Sequence, residues 1–263
     1  MKGILKEELN RAFRNPRFLI VVVLALAIFG IGAYRSPILF EGQPGQPVNR
    51  LILNLEYGEF GFLAALLATL PFADSFLDDL NQGFLRQIVQ RVPYRNYKAA
   101  KIIAVALAGG LSLVLAVLVI FLAGLVGGTD WESRAYFSGY AAKPSAPYGP
   151  LGGLYTTNPI FYLLYLLTSA FGFGAVYAVL GLAISPLIHN RYVVLAGPLV
   201  LVQVLNFLEG RSLHITNALN PLNGLMPFST AYTLGTQLAQ FGVVFAVSVV
   251  VFLVLARKGR LVL

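Results

Sequence analysis

The sequence predicts an all-α integral membrane protein that crosses the bilayer six times. Only 11% of its 263 residues are charged, against about 25% in a soluble domain, so lipid must cover part of its surface. It contains six apolar stretches, and about 20 apolar residues suffice for a helix to cross the hydrocarbon core. Most Lys and Arg residues fall on one side of these stretches, which sets an orientation.

The predicted spans are rich in Leu, Val, Ala, Phe and Gly and contain very few charges. They cover residues 18–34, 59–77, 102–126, 160–187, 191–208 and 238–256. Pro186 helps to end the fourth span, because proline donates no backbone hydrogen bond and restricts the residue before it. Pro71 and Pro198 are predicted to kink spans two and five. The chain is therefore interpreted as one transmembrane domain, residues 1–263.

Charge placement predicts that both termini lie in the cytoplasm. In that orientation all but five of the 19 Lys and Arg residues face inward, the exceptions being Arg35, Arg50, Arg134, Lys143 and Arg211. This bias explains the net charge of +8 without a nucleic-acid partner. A cleaved signal peptide is the alternative for span one, but its apolar run is slightly long and Glu7 and Glu8 precede it. We therefore expect a multi-pass protein of the cytoplasmic membrane.

Residues 1–17 are predicted to form an amphipathic interfacial helix. One face carries Ile4, Leu5, Leu9, Ala12 and Phe13, and the other carries Lys6, Asn10, Arg14 and Arg17. Such a helix is expected to place its apolar face in lipid and its bases near anionic phosphates. The alternative is a solvated leader that only sets topology.

A second amphipathic helix is predicted over residues 78–92, between spans two and three. Leu80, Phe84, Ile88 and Val92 form an apolar stripe at helical spacing. Asp78 and Asp79 are predicted at its start, where the helix dipole favours anions. Arg86 and Arg91 occupy polar positions, Pro93 ends the helix, and Arg95, Lys98 and Lys101 lead into span three. A topogenic basic loop would explain these charges but not the stripe, so we expect a stiff helix that transmits force from a soluble partner.

At these residues the chain resembles the ABC-2 class of ATP-binding-cassette transporter permeases. The matching pattern is Asp79-Leu80-Asn81-Gln82-Gly83, a short helix from Phe84 to Val92, and then Pro93-Tyr94-Arg95-Asn96-Tyr97-Lys98. Family members more often have Glu at the position of Asp79, and Asp79 carries the same negative charge. The six-span plan and an N-terminal connecting helix also agree, so the resemblance covers essentially the whole chain.

The resemblance implies a coupling helix on which an ATP-binding subunit docks. The residues expected to couple are Asp78, Asp79, Gly83, Phe84, Arg86, Arg91 and Arg95. It also implies two ATP-binding subunits, which would hold ATP and Mg, and a second permease chain, identical or homologous. The family has short re-entrant helices in the slot of residues 209–237, where Asn220-Pro221-Leu222 matches a recurrent feature; a plain external loop is the alternative. Residues 35–58 and 127–159 are predicted to be external.

Several catalytic classes lack their motifs in this sequence. There is no GxxxxGK[ST] phosphate loop, HExxH zinc-protease motif or GxSxG serine-hydrolase motif. With no cysteine and two histidines, a thiolate or histidine-rich metal site is not expected. We therefore expect no catalytic residue, no metal and no cofactor on this chain, so any ATP hydrolysis belongs to another subunit.

The few polar groups inside the spans are the candidates for a substrate pathway. Thr69, Gln203 and Asn206 are predicted to line it, although such groups more often form interhelical hydrogen bonds. Acidic residues are nearly absent at mid-membrane, which argues against a proton-coupled carrier. The expected function is that of an ABC-2 exporter permease for a hydrophobic or amphipathic substrate such as a lipid, peptide or drug. The alternative is a stand-alone secondary transporter or channel.

Overall fold

A computed structural model describes residues 2–36, 47–126, 150–209, 220–225 and 233–256, and all regular structure in these ranges is helical. In chain order the helices are α1 (Lys2–Phe13), α2 (Arg17–Arg35), α3 (Pro47–Tyr57), α4 (Phe60–Thr69), α5 (Ser75–Asn81), α6 (Phe84–Arg91), α7 (Tyr94–Leu125), α8 (Gly152–Thr157), α9 (Pro159–Ile184), α10 (Arg191–Glu209), α11 (Pro221–Leu225) and α12 (Leu234–Leu255).

Five of these helices, α2, α7, α9, α10 and α12, are long and apolar enough to cross a membrane. The count rises to six when α3 and α4 are taken as one bent element, with 85° between them. The exposed side chains of α2, α10 and α12 are largely Leu, Val, Ile and Phe. A folded chain that leaves such long apolar faces uncovered is a multi-pass membrane protein.

Contacts between helix ends show that the first and last described helices meet at one end of the bundle. Tyr94 at the start of α7 donates a hydrogen bond to the carbonyl of Ala256, just past α12, at 2.7 Å. Lys101, two turns further along α7, pairs with Glu8 of α1. We name this end, which also carries α5, α6 and the start of α10, the charged end. The opposite, far end holds α8, α11 and the pair between Arg35 and Glu59.

Helices α7 and α9 approach one another most closely where glycines face each other. A Cβ built on Gly109 would lie 2.7 Å from the carbonyl oxygen of Gly174, and one built on Gly174 would collide with the carbonyl of Gly109. Gly174 and its neighbours Ala170 and Ala178 form a ridge of small residues on α9. Small residues at such a crossing let two helix backbones pack directly.

The predicted kink at Pro71 is a complete break in the helix. Helix α4 ends at Thr69, and α5 begins only after a turn that contains Pro71. Because proline has no N–H, the carbonyl of Leu67 loses its helical donor. The hydroxyl of Ser112, on α7, donates to that carbonyl at 2.9 Å. The break is thus stabilised by a side chain from the neighbouring helix.

The single helix predicted over residues 78–92 is two helices in the structure. Gly83 has φ 69°, a left-handed conformation that glycine adopts without strain and that ends helices. Helix α5 therefore stops at Asn81, and α6 begins at Phe84. Asp78 lies in the first turn of α5, and Asp79 follows it in the second half of this seven-residue helix. The dipole toward the C-terminus of a helix disfavours an anion, so other groups must hold the carboxylate of Asp79.

Parts of two predicted external segments are packed inside the fold. Helix α3, from the segment 35–58, buries Leu51 and Leu55 in the core, where they pack with residues of α2 and α7. Helix α11, from the segment 209–237, buries Leu225 in the same core. The basic tail 257–263 lies outside the described residues, as do residues 127–149, 210–219 and 226–232.

Candidate functional site

A cluster of charged groups, buried except for the 42% exposed side chain of Arg11, joins α1, α5 and α7 at the charged end. We name it the Lys101 cluster; its members are Glu8, Arg11, Asp79, Tyr97 and Lys101. The ammonium group of Lys101 contacts Glu8 Oε2 at 2.7 Å and Asp79 Oδ2 at 2.6 Å. Arg11 contacts the other oxygens of the same carboxylates, Asp79 Oδ1 at 2.8 Å and Glu8 Oε1 at 3.1 Å. Tyr97 donates its hydroxyl to Asp79 Oδ2 at 2.6 Å.

Helical spacing explains how short segments supply this cluster. Tyr97 and Lys101 are four residues apart on α7, so both face the same neighbours. Glu8 and Ala12 have the same spacing on α1, and both are buried. Ile4 and Leu9 pack beside them against the protein. Part of the apolar face of α1 therefore packs on the other helices, whereas Phe13 on the same face is 44% exposed.

The Lys101 cluster is electrically balanced, with two cations and two carboxylates. Lys101 is fully buried, and Asp79 and Glu8 are nearly so. Burial alone would raise the pKa of Asp79. The nearby charge of Lys101 and hydrogen bonds from Arg11, Lys101 and Tyr97 outweigh burial and hold the pKa of that carboxyl below its usual range. Asp79 is consequently an ionised anchor.

A second charged group ties together the starts of α2, α5 and α10. We name it the Asp74 clasp; its members are Arg17, Asp74 and Arg191. Asp74 is buried and accepts from Arg17 at 2.6 Å and from Arg191 at 3.1 Å. Asp78 lies 4.0 Å from Arg17. Burial and the charge of Asp74 raise the pKa of Asp78, so its environment differs from that of Asp79.

Helix α6 presents a mixed apolar and polar surface at the charged end. Leu85 is buried and Ile88 is half-buried, and these two residues seat the helix on the fold. Phe84 is 48% exposed, and Gln87, Gln90 and Arg91 are also exposed. Aromatic residues and arginine are both enriched at protein interfaces.

The residues expected to couple to an ATP-binding subunit therefore divide into two groups. Gly83, Phe84, Arg91 and Arg95 are exposed; the side chain of Arg86 lies outside what the structure describes. Asp79 is buried within the Lys101 cluster, and the side chain of Asp78 is 35% exposed. A direct contact between the Asp79 carboxylate and another subunit would require this cluster to open.

Two of the three predicted pathway residues meet in a groove of about 590 Å³. This α10 groove is lined by Phe62, Leu199, Val200, Gln203, Val204, Asn206 and Phe207. Gln203 donates to the carbonyl of Phe62 at 3.2 Å, and Asn206 accepts from Asn220 at 3.0 Å. Thr69 lies apart from the groove. It is buried, and its hydroxyl contacts the carbonyls of Leu66 and Leu195.

Sequence reasoning did not identify most of the Lys101 cluster. Two signals for it exist in the sequence. Glu8 interrupts the apolar face formed by Ile4, Leu5 and Ala12, and a charge in that position needs a partner once the face is buried. Lys101 follows Tyr97 by one helical turn at the edge of an apolar span, where an isolated ammonium is costly.

No protein-family model, curated protein or solved structure matches this chain.

Proposed function

We propose that this chain is the permease subunit of an ATP-driven exporter of the ABC-2 class. The observation that carries the proposal is α6, a short amphipathic helix seated by Leu85 with Phe84 and Arg91 left exposed. It occupies the place in the sequence where the resemblance expects a coupling helix. In the proposed orientation this surface faces the cytoplasm, where a soluble ATPase can reach it.

The connections of α6 suit it to transmit a push into the membrane helices. It follows α5 after only Gln82 and Gly83. Helix α5 carries Asp79, whose carboxylate is held by groups from α1 and α7. Displacing α6 would therefore pull on the ion pair between Asp79 and Lys101, which joins α5 to the membrane-spanning helix α7. A topogenic loop would need neither the seated face nor these contacts.

The proposed complex contains two copies of an ATP-binding subunit and a second permease chain, identical or homologous. ATP and Mg would be held by the ATP-binding subunits, because this chain has no phosphate loop. The α10 groove has apolar walls and the amides of Gln203 and Asn206. That lining suits a hydrophobic or amphipathic substrate such as a lipid, peptide or drug.

Copurification after mild detergent extraction tests the proposal. We expect an ATP-binding subunit to copurify with the unaltered chain, and Phe84→Ala with Arg91→Ala to remove it. Gln90→Ala is the matched control, because Gln90 is also exposed on the same helix but is neither aromatic nor charged. Failure of any ATPase to copurify, or equal retention in all variants, would contradict the proposal.

Reconstitution in liposomes separates this function from its alternative. A stand-alone secondary transporter or channel would move substrate without ATP, whereas the proposed exporter needs the ATP-binding subunit and Mg-ATP. A fluorescent phospholipid provides a first transport probe. Gly83→Pro should leave the complex in the membrane but separate ATP hydrolysis from transport, since proline cannot adopt φ 69°. Unchanged transport in that variant would count against α6 as the coupling helix.

A further inference from the structure

The Asp74 clasp closes one end of the contact between α4 and α10. Asp74 follows the Pro71 turn, while Arg17 and Arg191 are the first residues of α2 and α10. The two guanidinium groups bind different oxygens of one buried carboxylate. One side chain therefore holds the starts of two spanning helices against the turn after α4.

Neighbouring hydrogen bonds reinforce the clasp unequally. On the α2 side, Asn15 donates to the carbonyl of Pro71 at 2.7 Å and Arg17 also reaches the carbonyl of Leu70. On the α10 side, Thr69 donates to the carbonyl of Leu195 at 2.8 Å. The start of α2 is thus fixed by several bonds, whereas among the described residues the start of α10 is fastened by two, at Arg191 and Leu195.

Solvent exposure separates the two ion pairs further. The Arg17 side chain is 20% exposed and lies 2.6 Å from Asp74, whereas the Arg191 side chain is 47% exposed and lies 3.1 Å away. Water and salt screen an exposed pair more strongly than a buried one. If Arg191 leaves, Asp74 keeps Arg17 as a partner and is not left as an isolated buried charge. The ion pair between Arg191 and Asp74 is therefore the one that can break.

The contact between α4 and α10 changes character along its length. Thr69 is sealed against Leu195 near the charged end. About two turns further along both helices, Phe62 and Gln203 border the open α10 groove. The groove thus begins about two turns from the charged end, and the buried contact of Thr69 with Leu195 lies between the groove and that end.

We propose that the pair between Asp74 and Arg191 is a releasable latch that keeps the charged end of the α10 groove shut. Its opening would free the start of α10 from Thr69 and admit water or substrate from the charged end. The role of such a gate in transport rests on the proposed function, but the latch itself does not. It deepens that function by naming the residues that hold one gate closed.

A thiol reporter tests the latch directly, since the chain has no native cysteine. Thr69→Cys places a thiol at a position that α10 covers, and its reaction with N-ethylmaleimide reports access at that contact. We expect Arg191→Gln to raise the labelling rate at least tenfold in this background. Arg14→Gln is the matched control, because Arg14 is an exposed cation at the same end with no ion pair among the described side chains. It should change the rate less than twofold.

Two further measurements distinguish local release from unfolding. A thiol introduced by Ala116→Cys, at a fully buried position of α7 away from the clasp, should stay unreactive in the Arg191→Gln protein. In 1 M NaCl, where the Debye length is about 3 Å, labelling at position 69 should rise when Arg191 is present and change little in Arg191→Gln. Equal labelling rates for Arg191→Gln and Arg14→Gln would overturn the latch.

The outcome is also separable from that of the proposed function. If labelling at position 69 is sensitive to salt but no ATPase copurifies, the latch is retained and the exporter is rejected. An ATP-driven complex in which labelling at position 69 ignores both salt and Arg191 would retain the exporter and reject the latch.

Discussion

Lys101 illustrates how single charged residues organise the charged end. Its side chain is fully buried and bridges two carboxylates that are far apart in the sequence, Glu8 and Asp79. Its ammonium also lies 5.2 Å from the ring centre of Phe72, a geometry in which a cation is attracted to the ring face. Taking one partner from a buried ion pair leaves the other charge without compensation, which is strongly destabilising.

We therefore predict that Lys101→Met lowers the free energy of unfolding by about 3–5 kcal/mol, the range for breaking a buried ion pair. The measurement is the thermal midpoint of the purified protein in detergent. Lys6→Met is the control and should leave the midpoint nearly unchanged, because Lys6 is exposed on α1. Adding Asp79→Asn to Lys101→Met should recover part of the loss, since it removes the uncompensated anion. A double variant less stable than either single variant would contradict this account.

Asp79 and Asp78 should respond to acid in opposite directions. The pKa of Asp79 is lowered in the folded state, so its contribution to stability is present above its unfolded pKa of about 3.9 and is lost as the pH falls through the folded value. The pKa of Asp78 is raised, so folding gains from its protonation as the pH falls. We compare thermal midpoints from pH 7 to pH 3. The midpoint of Asp79→Asn should fall less with decreasing pH than that of the unaltered protein, and the midpoint of Asp78→Asn should fall more. The same change in slope for both variants would contradict this assignment.

At the scale of elements, the long helices were the part of the fold that the sequence predicted best. Stretches of about 20 apolar residues have few alternatives to a spanning helix. Helix α3 was not predicted, because Arg50, Asn54 and Glu56 make residues 35–58 look like a polar external segment. Its burial depends on α2 and α7, which cover it from both sides, and a local pattern does not contain that information.

Pairings between elements were also beyond the sequence. Asp79 and Lys101 are 22 residues apart, and Arg17 and Asp74 are 57 apart. Each pair forms only because helix ends that are distant in the sequence lie together at the charged end. The motif around Asp79 marked the right region for the site, but periodicity placed this residue on an exposed coupling helix. Because the helix is interrupted at Gly83, Asp79 belongs to α5 and its side chain is buried.

Substitutions at Gly83 test the left-handed turn that separates α5 from α6. A Cβ at position 83 would meet no atom within 4 Å, so Gly83→Ala suffers only from the left-handed backbone conformation. We expect a loss of about 1 kcal/mol in stability, measured by thermal unfolding in detergent. Gly83→Asn should lose less, because asparagine tolerates this conformation better. Gly30→Ala is the control, since Gly30 also has open space but sits inside α2. A loss as large for Gly30→Ala as for Gly83→Ala would exclude backbone strain as the cause.

At the scale of the whole molecule, the charged end gathers the features on which function depends. The Lys101 cluster, the Asp74 clasp and the exposed face of α6 lie at this end. The α10 groove lies further along α10, beyond the contact of Thr69 with Leu195. Contacts with the start of α7 bring α1 and the end of α12 to this same end. The excess of Lys and Arg in the segments at this end predicts that the side is the cytoplasm.

Single cysteines in this cysteine-free chain can test that orientation. Asn10→Cys on α1 and Gln90→Cys on α6 introduce exposed thiols at the charged end, and Thr157→Cys introduces one in α8 at the far end. With a membrane-impermeant maleimide, we expect Thr157→Cys to label in intact cells and the other two only after permeabilisation. The reverse pattern would place the charged end outside, beyond the reach of a cytoplasmic ATPase, and would remove the proposed coupling role of α6. Labelling of Asn10→Cys and Gln90→Cys from opposite sides would instead contradict the pairing of Glu8 with Lys101, because that contact requires α1 and the start of α7 to share one side.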